Sequence, residues 1–200
     1  LGRLVEAAGV DTLGVVTGSR PTISKTRIVG RTQQLLRLDI ESREAPPEVE
    51  LERLQERAVA LAGKVDAVVL SDYAKGALTR GLCEAVIRAA RAAGVPVLAD
   101  PKTADFSKYS GATAVCPNLG ELAAATGVEA RRADLRETGA MLAAGQRLVT
   151  EHDFKYLVVT MSEKGIALLG QDGSTLHSPA RAREVFDVSG AGDTVIATLA

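Results

Sequence analysis

Between residues 65 and 169, short apolar runs of β character alternate with amphipathic stretches of helical period, and few folds accommodate that order. Residues 65–70 (VDAVVL), 95–99 (VPVLA), 113–116 (TAVC) and 156–160 (YLVVT) read as buried strands. Between them, Thr79 caps a helix through Leu82, Val86 and Ala89 that stops at Gly94, and Asn118 opens a short helix ending near Gly127. Asp134 and Glu137 have the spacing of a capping box for a helix through Met141 and Leu148. Strand–helix–strand units of this kind close by right-handed crossovers. The expected architecture is therefore a layered α/β fold, a mostly parallel sheet with helices on both faces.

The flanking segments add to this plan. Residues 165–169 and 174–178, joined by Gln171-Asp172-Gly173, read as an antiparallel hairpin. Upstream, residues 1–9 form a helical phrase stopping at Gly9, and residues 12–17 (TLGVVT) are of strand type. Two extended runs, 22–29 and 33–40, flank a Gly30-Arg31-Thr32 break and suggest a hairpin. They carry Lys25, Arg27, Arg31 and Arg37 with too few apolar residues for burial on both sides, which predicts an edge or a projecting β flap at about residues 20–40. After Pro46-Pro47, a helix sets Leu51, Leu54, Ala58 and Leu61 in one stripe. Two hundred residues suit one domain with the flap inserted. The chain begins within a helical phrase and ends within an apolar one, so it reads as a partial domain truncated at both ends.

Composition excludes several classes of function. With 24 Lys+Arg against 25 Asp+Glu, the net charge is -1, and three Phe, three Tyr and no Trp provide few platforms for base stacking. Nucleic acid is not expected as a partner. No apolar run reaches the length of a membrane span, and no signal peptide is visible, so no membrane partner is expected either. Cys83 and Cys116 lie far apart and match no metal-binding spacing, which predicts reduced core residues of a cytoplasmic protein. His152 and His177 have no neighbouring ligand in sequence. The Walker pattern, the dinucleotide fingerprint and the GxSxG elbow are all absent.

In open parallel sheets ligands bind beyond the carboxyl ends of the strands, and here those ends are polar. Ser71-Asp72-Tyr73-Ala74-Lys75-Gly76, Asp100-Pro101-Lys102, Pro117-Asn118-Leu119-Gly120-Glu121 and Met161-Ser162-Glu163-Lys164 follow successive strands. The sharpest segment is Phe186-Asp187-Val188-Ser189-Gly190-Ala191-Gly192-Asp193-Thr194, leading into a helical phrase. Glycines at a helix start let an anion approach unpaired N–H groups, and a first-turn Asp193 places a carboxylate beside that anion, within reach of an attacking hydroxyl. The same residues also suit a glycine-rich turn with Asp193 complementing the helix dipole.

The segment from Asp187 to Thr194 resembles the signature of the ribokinase-like (PfkB-type) sugar kinases, and Asn118-Leu119-Gly120-Glu121 resembles their NxxE motif. Residues 25–29, 33–39, 71–76 and 100–102 are similar to the heptose 7-phosphate kinase branch, the kinase half of bifunctional heptose kinase/adenylyltransferases. The resemblance implies a ribokinase-like fold with a small flap, and ATP-dependent phosphorylation of D-glycero-β-D-manno-heptose 7-phosphate at its anomeric hydroxyl. Another sugar-phosphate kinase, or a non-catalytic fragment, remains open. It implies Asp193 as base, with the backbone of Gly190, Ala191 and Gly192 as anion hole. Asn118, Leu119, Gly120, Glu121, Thr160 and Ser162 then face the nucleotide, and Asn118 and Glu121 organise Mg²⁺ through water. Lys25, Arg27, Arg37, Asp72, Lys75 and Lys102 are the implied substrate contacts. Asp187 matches a position near a monovalent cation, K⁺ in relatives, although Val188 stands where Thr is common. The flap implies a homodimer interface.

Overall fold

The computed structural model describes residues 2–31, 33–42, 45–127, 135–181 and 190–200. They fall into two compact units, Leu1–Arg57 and Ala58–Ala200. The first begins with helix α1 (Gly2–Ala7), which ends ahead of Gly9 in the left-handed conformation, φ 77°. Residues 12–17, expected as a strand, form a turn and irregular chain instead. The Val15 amide bonds back to the Thr12 carbonyl at 2.9 Å, and the Val15 carbonyl is taken by the Arg57 guanidinium at 2.7 Å. Among the described residues no strand lies beside this segment, and a β-type run without a ladder partner has nowhere to place its backbone hydrogen bonds.

Strands β1 (Ser24–Gly30) and β2 (Gln33–Ile40) form the expected hairpin as a two-stranded antiparallel sheet of their own. Lys25 pairs with Asp39, Thr26 with Leu38, Arg27 with Arg37 and Ile28 with Leu36, before a bulge between Ile28 and Val29. Because side chains alternate, Lys25, Arg27, Arg37 and Asp39 share one face, and Thr26, Ile28, Leu36 and Leu38 share the other. Both strands are exposed along nearly their whole length. Helix α2 (Glu48–Ala62) starts after Pro47 with Glu48 and Glu50 in its first turn, where the dipole favours carboxylates, and the Ser19 amide donates to Glu50 at 2.7 Å.

The second unit holds a six-stranded sheet, β3 (Val68–Ser71), β4 (Val97–Asp100), β5 (Ala114–Val115), β6 (Tyr156–Thr160), β7 (Ile166–Gly170) and β8 (Thr175–Ser178), in that spatial order. Strands β3 to β6 run parallel, and β6–β7–β8 are antiparallel. Helices α3 (Arg80–Ala92), α4 (Leu119–Thr126) and α5 (Leu135–Glu151) connect the strands, and α6 (Ala191–Leu199) follows them. The Thr79 hydroxyl accepts from the Leu82 amide at 3.2 Å and caps α3, which buries Leu82, Cys83, Val86, Ile87 and Ala90. Gly145 of α5 lies so close to Leu157 and Leu169 that a Cβ there would press on both, which places α5 on one face of β6 and β7. On the other face, Ile196 of α6 packs with Leu98, Ala114, Cys116 and Val158. Helices thus cover both faces of a mostly parallel sheet, as the alternation predicts.

Cys83 and Cys116 are buried and free, and burial pushes their thiols up to about 11 and about 12. Among the described residues, no helix is long and apolar enough to cross a membrane. Asp134, the expected capping partner of Glu137, and the segment Asp187-Val188-Ser189 lie outside the described residues.

Candidate active site

The carboxyl ends of β3 to β6 and the start of α6 bring together most of the polar residues expected in a site. Gly190 caps α6 in the left-handed region, φ 77°, where a side chain would be strained. Helix geometry leaves the N–H groups of Ala191, Gly192 and Asp193 without intrahelical partners, pointing out of the helix start. Asp193 lies in this first turn and is exposed. One carboxylate oxygen, Oδ1, accepts a hydrogen bond from the Tyr73 hydroxyl at 3.0 Å. The other, Oδ2, lies towards the glycine turn, 3.9 Å from where a Cβ on Gly190 would stand.

At the end of β5, Asn118 and Glu121 form a reciprocal capping box. The Asn118 side chain accepts from the Glu121 amide at 2.9 Å, and Glu121 Oε2 accepts from the Asn118 amide at 2.9 Å. Glu121 Oε1 also accepts from Lys102 Nζ at 2.9 Å, an ion pair in which the carboxylate is largely covered and the ammonium half-exposed. Hydrogen bonding to Glu121 raises the Lys102 pKa above its ordinary value. Thr160 is the neighbour of Asn118 through an isolated parallel bridge, and its amide donates to the Pro117 carbonyl at 2.9 Å. The main chain between Leu119 and Gly120 therefore opens α4 beside the end of β6. Ser162 follows in an exposed 3₁₀ turn with φ 53°, a conformation that non-glycine residues seldom hold.

Asp72 is the best-buried charged group of the site, 4 % exposed, and its carboxylate is engaged by the fold. Oδ1 accepts from the Ala74 amide at 2.7 Å, while Oδ2 accepts from the Tyr109 hydroxyl at 2.6 Å and from Lys108 Nζ. Burial would raise the Asp72 pKa, but hydrogen bonds from Lys108, Tyr109 and Ala74 outweigh it and hold the carboxyl below its ordinary value. This side chain, an expected substrate contact, ties the loop after β3 to the 3₁₀ turn Ser107–Tyr109. Lys75 lies half-buried in the same loop.

Asp100, at the end of β4, has its carboxyl pushed up to about 6, first by burial and then by the negative charges of Glu121 and Asp193. In the sequence, Asp100 and Tyr73 both stand in polar strand-end phrases with no role attached to either, and nothing there singles out Lys108 or Tyr109. The only available signal for Tyr73 was its place in a polar strand-end loop. The flap residues Lys25, Arg27 and Arg37 belong to the other compact unit. There Lys25 and Arg37 both pair with Asp39, at 3.3 and 3.1 Å, and they hold its carboxyl below the ordinary value although desolvation opposes them. Asp187, the candidate monovalent-cation residue, lies outside the described residues.

Asp100, Glu121 and Asp193 bring hard carboxylate oxygens to these strand ends, where burial first and then the charges of Glu121 and Asp193 raise Asp100, but among the described residues no three such side chains lie close enough to hold a metal ion directly. Lys102 already occupies one Glu121 oxygen, and the Asn118 amide occupies the other. That arrangement fits an ion held through water better than direct ligation.

Comparison with known proteins gives the same frame. The bifunctional protein HldE of Koribacter versatilis is 50% identical over 179 residues, 90% of this chain and 36% of its own length. HldE of Pseudomonas aeruginosa strain UCBPP-PA14 is 47% identical over 200 residues, covering 100% of this chain and 40% of its own length. The chain thus spans about two fifths of these curated relatives. Among solved structures, the tetrameric inhibited form of phosphofructokinase-2 from Escherichia coli superposes with a TM-score of 0.73 at 18% identity, covering 98% of this chain and 63% of that one. Arabidopsis thaliana ribokinase, solved with ribose and ATP, gives 0.60 at 20% identity, over 90% of this chain and 55% of that one. These two likenesses establish a ribokinase-like fold. The model of the pfkB family of carbohydrate kinases matches residues 1–200. The chain belongs to that family.

Proposed function

We propose that the protein containing this chain transfers the γ-phosphoryl group of ATP to the anomeric hydroxyl of D-glycero-β-D-manno-heptose 7-phosphate, giving the 1,7-bisphosphate and ADP. The observation that carries the reaction type is Asp193 in the first turn of α6, its Oδ2 directed over the Gly190–Gly192 turn. The sugar is supported by the phrases shared with the heptose 7-phosphate kinase branch and by 45–50% identity to HldE proteins.

Asp193 accepts the proton of the sugar hydroxyl as the sugar oxygen bonds to the γ-phosphorus. The bond from that phosphorus to the β–γ bridging oxygen breaks, and ADP leaves with the electron pair. The amides of Gly190, Ala191 and Gly192 stabilise charge on the transferring group. Asn118 and Glu121 would hold Mg²⁺ through water, and the ion would neutralise charge on the triphosphate. The turn at Thr160 and Ser162, joined to Asn118 by the parallel bridge, faces the nucleotide phosphates. Lys75 and Lys102 lie on the substrate side of the rim, and Asp72 holds the loop that bears Tyr73. Arg27, Lys25 and Arg37 contact the sugar phosphate through the flap, whose apolar face meets a second copy of the chain. The monovalent-cation site at Asp187, K⁺ in the family resemblance, belongs to the same reading. ATP as a substrate places the reaction in the cytoplasm.

The test is ADP release by the complete protein across a panel of heptose, fructose and tagatose phosphates. Heptose 7-phosphate should give the highest kcat/KM, and Asp193→Asn should lower kcat by about 100-fold or more, as loss of a general base does. A different preferred sugar phosphate would overturn the substrate, and near-normal turnover by D193N would overturn the base.

A further inference from the structure

A carboxylate in the exposed first turn of a helix can rotate about two side-chain torsions, and a base that rotates spends part of its time turned away from the hydroxyl it must deprotonate. Asp193 is such a residue, but one of its oxygens is tethered from 120 positions away in sequence, by the phenol of Tyr73. Tyr73 is 57% exposed and contributes little to the core. Its loop is nonetheless held firmly. The Asp72 amide donates to the Asp100 carbonyl at 3.1 Å, and the Asp72 carboxylate gathers Ala74, Tyr109 and Lys108. Ala74 is driven into the left-handed region, φ 55°, followed by Gly76 at φ 84°. A non-glycine residue there costs about 1–2 kcal/mol, and such strain persists where the surroundings over-determine it. A strained residue directly after an exposed tyrosine is hard to account for as packing, because that side chain buries little. It is accounted for if the loop exists to hold the phenol at a fixed point.

We propose that Tyr73 is a positioning residue for phosphoryl transfer: its hydroxyl, held by the Asp72-anchored loop, locks Oδ1 of Asp193 so that Oδ2 stays directed at the attacking sugar hydroxyl. The inference rests on Asp193 acting as the base. The Asp193 hydrogen bond, burial and the Asp193 charge also raise the Tyr73 pKa above its ordinary value, so the phenol remains protonated and able to donate. In the reaction, the proton leaving the sugar goes to Oδ2, and the Tyr73 proton stays where it is.

The experiment is a double-mutant cycle in the complete protein, with steady-state kinetics for ATP and the sugar phosphate on wild type, Tyr73→Phe, Asp193→Asn and the double variant. Phe keeps the ring and removes the hydroxyl. Y73F should lower kcat by about 10-fold with both KM values within about 2-fold and the melting temperature nearly unchanged, since only transition-state geometry is lost. Added to D193N, it should leave the residual rate as it was. Unchanged kcat in Y73F, an additive effect in the double variant, or a raised sugar KM with kcat intact would each overturn the proposal, the last by making Tyr73 a substrate contact. A Y73F that melts early would overturn it too, by assigning the hydroxyl to the fold. Normal turnover by D193N would instead sink the base assignment and everything resting on it, whereas a dead D193N beside a normal Y73F would sink only the role of Tyr73.

Discussion

Asp100 sits where β4 ends, with its carboxyl pushed up to about 6 by burial and by the charges of Glu121 and Asp193. An acid whose folded pKa exceeds its unfolded value of 3.8 contributes stability that is full below 3.8 and is lost as pH rises through about 6. Asp100→Asn should therefore stabilise the protein by about 1–2 kcal/mol at pH 8 in metal-free buffer, the half-buried position reducing the full linkage value, and by almost nothing at pH 3.5. Urea melts at the two pH values check this, and an equal gain at both would show that the charge is not the cause. Asp193, Asn118 and Glu121 were legible from sequence because each belongs to a short contiguous motif whose local geometry, a helix start, is dictated by neighbours in the chain. Tyr73 was not legible as a partner of Asp193, nor Lys108 and Tyr109 as partners of Asp72. Those contacts join residues 120, 36 and 37 positions apart, and no local rule brings them together.

At the scale of elements, the flap shows how alternation sorts function. Its register places Arg27 opposite Arg37 on the face that also holds Lys25 and Asp39. Like charges directly opposite across a ladder repel, and Asp39 is a single anion shared between Lys25 and Arg37. A phosphate dianion would relieve that excess through charge-assisted hydrogen bonds. Arg27→Ala in the complete protein should raise KM for the sugar phosphate by about 10-fold, a loss near 1.4 kcal/mol, and leave KM for ATP alone. Equal effects on both constants would remove the flap from substrate recognition. The hairpin was legible because its two runs supply each other's partner. Residues 12–17 form no strand for the converse reason. Their β-branched content suits a strand, but strand propensity is realised only beside another strand, and the Val15 carbonyl is instead satisfied by Arg57.

For the whole molecule, the exposed apolar face of the flap is the feature on which the homodimer reading rests. Ile28, Leu36 and Leu38 are 47%, 53% and 49% exposed on one side of a two-stranded ribbon, a contiguous patch of the kind that marks an interface. Under the homodimer reading, light scattering on the complete protein should give twice the mass of one chain, and Leu38→Asp should give the mass of one. A wild type that runs at single-chain mass would refute it. The sequence by itself determined the layered α/β plan, the helix caps at Thr79, Asn118 and Gly190, the hairpin and the polar strand ends, because each follows from periodicity and from turn or cap chemistry within a few residues. Only the tertiary structure decided which strand ends meet and which face of the sheet α6 covers. It likewise decided that Asp72 is spent on the fold while Tyr73 reaches Asp193. These outcomes depend on packing between segments distant in the chain, where burial and charge are set by the partner a residue meets and not by the residues beside it.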